Sequence, residues 1–541
     1  MVWASHSGSG SAIAIVDDGI QYTHGDLNID TERSFGWNVS TGERIATAHS
    51  GNALHGTATA GVASAIRDNM RGGCGVAWGS TLIGVRLLSN DISSTANSVF
   101  MGESFVQSLT ELSSIDNVVV SNSWGPPDDG RVDGPMHQGL YSNVDDAMRM
   151  FYTSARGGLG GIIVFANGNG GPYDNANDDG FASHPTTISV GAVGDDNRRT
   201  SYTEPGACVD IVAPSDGGLR GIVTADLIGG NGYANGNFTA SFGGTSAATP
   251  VVSGVIALML DARPRLRSVD VRHILVRTAR RVHVDDPHWV ENSAGIWFSP
   301  WYGFGLVDAE EAVEMAREWD ASPTEEEICS EDWFGFLGLS DWEWRKVPLT
   351  GASMRTVVRV SVFIDVVHPW RGDVVMRIVS PSGTISQLTF EVPNNVPLSD
   401  ASFIPHMYHS NAFYMESAIN TGWTVDFRDV SARGRVRHVR ICLSGVRGQA
   451  SPPSSQHSPP PSFQAKPSHT DTTVTRIVTW IAVGTVLLAS CCCLVFAFRL
   501  DDGDRDEEEN VYDDTREGCM YRFTRRLRLD AFAFWEAVKR T

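Results

Sequence analysis

The stretch Ala12–Leu27, "AIAIVDDGIQYTHGDL", drives an apolar run into two adjacent carboxylates and, eight residues later, sets a third beside His-Gly. A strand that ends in an acid delivers that carboxylate to the C-terminal edge of a parallel sheet, where open α/β folds keep their sites. From Ala12 to about Ala321, further short apolar runs such as "TLIGV", "NVVVS", "GIIVF" and "TTISVGAV" alternate with longer stretches of helical spacing. The alternation predicts an α/β domain over residues 1–321, a parallel sheet flanked by helices. After "SPTEEEIC" the runs alternate instead, as in "RTVVRVSVFIDVV" and "GDVVMRIVSPSGTISQLTF", with Pro, Ser and Gly at the turns. That pattern predicts an antiparallel β-sandwich over 322–448.

With 541 residues the chain exceeds the size at which one core keeps growing, so at least two folded domains are expected. Its formal charge of −21 argues against nucleic acid as a partner and favours cationic ligands, metal ions or simple solubility. Residues 449–476 are rich in Pro and Ser and read as an extended stalk. Ile477–Phe498 has 22 residues without a charge, enough to cross roughly 30 Å of hydrocarbon as a single transmembrane helix. Basic residues cluster after it, placing residues 499–541, an acidic block and then a basic segment, in the cytosol and the N-terminal part in the lumen or outside. The opening "MVWASHSGSG" has no basic n-region or apolar h-region, so an export signal is expected upstream of Met1. Four of eight cysteines fall outside the membrane and cytosolic segments, and Cys329 and Cys442 are placed to pair across the β-rich region.

Asp17 or Asp18 is positioned to orient a histidine. His55, in "LHGTATAGVASAI", leads into small residues that permit close packing beneath a cleft. Ser246, in "FGGTSAATPVVSGVIALML", opens an apolar helix whose first turn holds Pro250, and a helix N-terminus aims N–H groups at an oxyanion. Asp, His and Ser in that order match the subtilisin arrangement of the triad.

Through "VDDGI", "HGT", "SWGPPDDG", "ANGNGG" and "GTSAATP" the sequence resembles the subtilisin-like serine proteases, specifically the kexin/furin group of proprotein convertases. The region containing "HPWRGDVVMRIVSPSGT" resembles the P domain that follows the protease domain in that group. The resemblance implies a subtilisin-like catalytic domain and a P domain. It implies that Asp17 orients His55, that His55 takes the proton of Ser246, and that Asn169 donates to the oxyanion. It further implies that Asp18 faces a basic side chain upstream of the scissile residue, that Asp179 lies at the base of the S1 pocket with Asp128 near it, and that Asp133 belongs to S4. Asp91 extends the acidic surface. Calcium is the implied cofactor, held at one site by Asp26 with Asp68 or Asn69 and at another by Asp128, Asp174 and Glu204, hard oxygen donors that repel one another without a cation. Asn97 and Asn52 stand at S4 and S2 positions where acids are expected, which loosens the upstream selectivity. Cys74 and Cys208 lack their usual partners, one of them replaced by Ala176, and are expected as free thiols.

The resulting expectation is a membrane-anchored, calcium-dependent serine endoprotease of the secretory pathway that cleaves precursor proteins after paired basic residues. Two rivals remain: a broad-specificity degradative subtilase, and a catalytically inert receptor working through its P domain. If the membrane helix alone targets the chain, the protease domain stays in the cytosol, and the sequons at Asn38 and Asn237 distinguish the two topologies.

Overall fold

A computed structural model describes residues 2–38, 41–49, 53–88, 95–130, 142–339, 342–368, 370–390, 405–419, 422–429 and 434–447. The stalk, the expected transmembrane helix, the tail, Asn52, Asp91 and Asp133 lie outside the described residues.

The first half is built on an eight-stranded sheet. Its strands are β1 (Ala12–Asp17), β2 (Phe35–Asn38), β3 (Glu43–Ile45), β4 (Thr81–Arg86), β5 (Val118–Asn122), β6 (Ile162–Ala166), β7 (Thr187–Val193) and β8 (Ile211–Pro214), in the spatial order β3-β2-β4-β1-β5-β6-β7-β8. All neighbours pair in parallel except the edge pair β2–β3. Every residue of β1, β5, β6 and β7 is buried, because both faces of the sheet are covered. On β1, Ile13 and Ile15 join one core while Ala12, Ala14 and Val16 join the other, the period of two expected of a strand. That explains why the strands read as continuous apolar runs.

The helices are α1 (Leu54–Ser64), α2 (Thr95–Leu112), α3 (Ser142–Gly158, non-helical over Ala155–Gly157), α4 (Thr245–Ala262), α5 (Ser268–Thr278) and α6 (Ala309–Glu318). Phe105 and Leu109 of α2 with Met148 and Phe151 of α3 cover one face; Val252, Val255 and Ile256 of α4 cover the other. Each such fully buried side chain stabilises the fold by about 1.5–3 kcal/mol. Helix α4 is the one helix among the described residues long and apolar enough to cross a membrane, and 78% of its apolar window is buried inside the fold. It is a core helix, and its apolar girth reflects burial on all sides.

Pro250 corrects one expectation. The helix starts at Thr245, so Pro250 is its sixth residue and lies beyond the first turn. Proline has no N–H to offer the carbonyl four residues earlier, that of Ser246. The Ser123 hydroxyl donates to that carbonyl at 3.0 Å, filling the gap.

Two short antiparallel pairs follow, β9 (Ile222–Ala225) with β10 (Phe238–Phe242) and β11 (Val290–Glu291) with β12 (Trp297–Phe298). The remaining strands form two antiparallel sheets. One contains β13 (Glu326–Cys329), β14 (Trp333–Gly338), β16 (Thr356–Val367), β19 (His406–Ser410) and β21 (Arg435–Val446). The other contains β15 (Arg345–Leu349), β17 (Val374–Val379), β18 (Ile385–Gln387) and β20 (Trp423–Asp429). Val360, Val362 and Ile364 of the first sheet share a core with Met376, Ile378, Val425 and Phe427 of the second, the facing arrangement of a sandwich. A disulfide joins Cys329 to Cys442 across β13 and β21, as their spacing suggested. Cys74 and Cys208 are free, and Cys208 shares a small buried cluster with Ala176 and Val209.

Candidate active site

Three elements bring Asp17, His55 and Ser246 to the C-terminal edge of the sheet. Asp17 is the last residue of β1, and His55 and Ser246 are each the second residue of a helix, α1 and α4. The two oxygens of Asp17 lie 3.0 and 2.9 Å from His55 Nδ1, which fixes the ring and leaves Nε2 as the nitrogen not held by Asp17. Asp17 is 1% exposed, whereas the His55 side chain is 30% exposed. Burial pulls the pKa of His55 down, but the charge and hydrogen bond of Asp17, with the charge of Asp18, outweigh it and leave His55 above its ordinary value. Phe242 sits edge-on to the imidazole at 5.7 Å.

Asp17, the acid that the resemblance pairs with His55, is the one in contact with Nδ1, and Asp18 stands elsewhere. Asp18 Oδ1 accepts from the Gly56 N–H at 2.8 Å and Oδ2 from the His55 N–H at 3.1 Å, so this acid caps the start of α1. Burial first, then the neighbouring Asp17 charge, push the Asp18 carboxyl up to about 6.

Asn169 has its Oδ1 engaged by the Thr245 N–H at 2.9 Å and the Thr245 hydroxyl at 3.1 Å, which leaves its amide nitrogen as a donor. Gly244, with φ +74, lets the chain turn into α4, and a Cβ there would lie 3.3 Å from Asn169 Oδ1 and 3.8 Å from Ser246 Oγ. The Ser246 hydroxyl donates to the Ser123 carbonyl at 3.3 Å. The loop ahead of α4 is pinned by residues that sequence reasoning missed. Asp216 Oδ1 accepts from the Gly244 N–H at 3.0 Å, and Ser215 donates to the Gly244 carbonyl at 2.7 Å. Nothing in "APSDGG" signals that contact, because it spans 28 residues of chain.

Asp179 is half-buried beside Gly125, where a Cβ would come within 2.8 Å of Asp179 Oδ2. Its Oδ1 accepts from the N–H groups of Phe181 and Ala182 at 2.7 and 3.3 Å. Asp128, Asp174 and Glu204 surround Gly170: a Cβ there would fall 3.2 Å from Asp128 Cβ, 2.6 Å from Asp174 Cβ and 3.1 Å from Glu204 Oε1. Burial first, then the charges of Asp174 and Asp128, raise Glu204 well above the ordinary carboxylate range, and burial raises Asp174 as well. Three carboxylates around one glycine, two of them, Glu204 and Asp174, penalised by burial when ionised, are the hard oxygen donors that calcium takes.

At the other expected calcium site the two acids differ: Asp26 is buried and Asp68 faces solvent. Asp26 is fully buried and its Oδ2 has no hydrogen-bond partner, an orphan oxygen that suits a cation. Asp68 turns away instead: its side chain is 82% exposed and pairs with Arg67 at 3.1 Å, its backbone held at φ +59. Asn69 stays beside Asp26, its amide nitrogen donating to Asp26 Oδ1 while its Oδ1 accepts from the Arg71 N–H at 3.0 Å. Asn97 falls in α2.

A family model described as "Subtilase family" matches residues 8–305, and one described as "Proprotein convertase P-domain" matches residues 357–441. The chain therefore belongs to the subtilase family and carries a proprotein convertase P domain behind its subtilase domain. Among similar proteins, human proprotein convertase subtilisin/kexin type 7 is 34% identical over 404 residues, covering 71% of this chain and 49% of that protein. Human neuroendocrine convertase 2 is 32% identical over 477 residues, covering 82% of this chain and 69% of that protein. The chain spans about half the length of the type 7 convertases it matches. The serine protease of Aeromonas sobria has the same fold, with a TM-score of 0.70 at 24% identity over 81% of this chain and 89% of that one.

Proposed function

We propose that this chain is a serine endopeptidase that processes secretory precursor proteins on the C-terminal side of basic residues. The observation that carries the reading is the convergence of Asp17, His55 and Ser246 from three separate elements on one sheet edge. In the proposed reaction His55 Nε2 takes the Ser246 hydroxyl proton as Oγ bonds to the scissile carbonyl carbon. The Asn169 amide and the Ser246 N–H receive the oxyanion, the Thr245 and Ala247 N–H groups being held by Asn169 Oδ1 and the Gly244 carbonyl, and one such donor is worth about 2.7–4 kcal/mol. The C–N bond then breaks as His55 returns the proton to the leaving amine, and water repeats the sequence to release the acid. Asp179 receives a P1 guanidinium, whose planar fork suits a carboxylate better than an ammonium does. Asp18 faces the basic residue before it.

Support for a processing role comes from the convertase relatives and from the P domain, and the anchor and secretory location rest on Ile477–Phe498 and the basic residues after it. The deciding measurement is turnover of fluorogenic peptides with Arg, Lys or Leu at P1. A steep preference for Arg is expected; equal rates would mean a degradative subtilase, and no turnover of any peptide would mean an inert domain.

Calcium would be held by Asp128, Asp174 and Glu204 and by Asp26, where it neutralises carboxylates and ties loops together. EDTA should abolish turnover and lower Tm, with both restored by calcium, because an ion bound only by the native fold stabilises it by about 2.7 kcal/mol at one hundred times Kd. Indifference to EDTA would remove these four acids as ligands.

The raised pKa of Asp18 predicts a pH effect. As pH falls through about 6 the carboxyl gains a proton and loses the charge that attracts a basic P2 residue. The advantage of P2-Arg over P2-Ala in kcat/KM should therefore shrink below pH 6 and be absent for Asp18→Asn at every pH.

A further inference from the structure

The two groups that receive the oxyanion come from different elements. Asn169 lies three residues beyond β6, whereas Ser246 is the second residue of α4. Their relative placement is set by whatever ties the two segments together. One tie is direct, from Thr245 to Asn169 Oδ1. A second runs through the connection between β7 and β8. The Tyr202 carbonyl accepts from the Gly171 N–H at 2.7 Å, two residues beyond Asn169. The Tyr202 hydroxyl donates to Asp216 Oδ1, and the same oxygen accepts from the Gly244 N–H at 3.0 Å. Ser215, 2% exposed, holds the other side of that glycine by donating to its carbonyl at 2.7 Å.

The brace stands on rigid ground. Ser215 and Asp216 directly follow β8, whose pairing with β7 runs to Pro214, and the Tyr202 side chain packs against the core around α4. A Cβ at Gly243 would overlap the Asp216 carboxylate, so only glycine admits the acid this close. With its N–H and its carbonyl both held, Gly244 keeps φ at +74 and delivers the next peptide, which carries the Ser246 N–H, in one orientation. We propose that Asp216 and Tyr202 are positioning residues that fix the Ser246 N–H relative to Asn169. This rests on the reading of those two groups as the oxyanion donors. A misplacement of about 1 Å at such a site costs on the order of 100-fold in rate. The penalty falls on the transition state, where the oxyanion forms, and spares ground-state binding.

The test uses the full chain with calcium present, each variant's competent fraction being counted by fluorophosphonate titration of Ser246. It measures kcat and KM for the peptide that wild type cleaves fastest, and Ki for the aldehyde and the alcohol of that sequence. The aldehyde adds to Ser246 and seats an oxygen at the two donors; the alcohol fills the same subsites without one. Asp216→Ala should lower kcat by about tenfold or more and weaken the aldehyde by a similar factor, with KM and the alcohol within about twofold of wild type. Asp216→Asn keeps an oxygen for the Gly244 N–H and should recover most of the loss. Should Asp216→Ala fail to fold, Tyr202→Phe decides, since it removes one hydroxyl and should lower kcat about threefold or more. Wild-type kcat in the titrated variants, or equal weakening of aldehyde and alcohol, makes the contacts merely structural and overturns the proposal. Asn169→Ala in parallel separates the two failures: if it too binds the aldehyde as tightly as wild type, the assignment of the oxyanion donors fails, and the brace with it.

Discussion

Ser246→Ala is expected to lower kcat for a P1-Arg peptide by about 10⁶-fold while leaving the melting temperature nearly unchanged. The size follows from the way a triad acts as a unit: loss of the nucleophile alone removes nearly all of what the three residues supply together. Stability is spared because the Ser246 hydroxyl makes one long bond, to the Ser123 carbonyl at 3.3 Å, and a net neutral hydrogen bond contributes only about 1 kcal/mol. The neighbouring contact, from the Ser123 hydroxyl to the Ser246 carbonyl, is to backbone and survives the substitution. Turnover at the wild-type rate in the variant would remove Ser246 from the reaction.

Asp179→Asn is expected to have the second largest effect, lowering kcat/KM for P1-Arg peptides by about 10²–10⁴-fold, equivalent to the 3–5 kcal/mol of leaving one partner of a desolvated pair alone. For P1-Leu the change should be less than about threefold. Asparagine is the informative substitution because its carbonyl oxygen keeps the acceptor for the Phe181 and Ala182 N–H groups, so the turn is preserved and only the charge is lost. Alanine would confound the two. Equal losses for both peptides would place the P1 acid elsewhere.

The order of elements was legible in the sequence because burial leaves a periodic trace. Strands covered on both faces must be apolar throughout, so "AIAIV" and "GIIVF" read as strands of a parallel sheet, and the alternation in "RTVVRVSVFIDVV" read as antiparallel. The candidate site was legible for a related reason. Acids, histidine and serine at element ends carry local signatures, such as glycines before a helix start or a carboxylate after an apolar run.

What the sequence determined by itself was thus the chemistry carried by each short segment: Asp17 and Asp18 closing a strand, His55 and Ser246 opening helices, Asn169 among glycines. Asp17 and Asp18 are equivalent as letters and only the family resemblance singled out Asp17; tertiary structure aims Asp17 at the imidazole and Asp18 at the N–H groups that open α1. It also decided that Asp68 turns to solvent while Asp26 keeps a buried orphan oxygen, that Asp216 anchors Gly244, and that Asn177 bonds to His409 of the P domain. The last of these joins residues 232 positions apart. A hydrogen bond between groups so distant leaves no periodicity in either segment, because its geometry depends on how two finished domains pack and on nothing within reach of a local window.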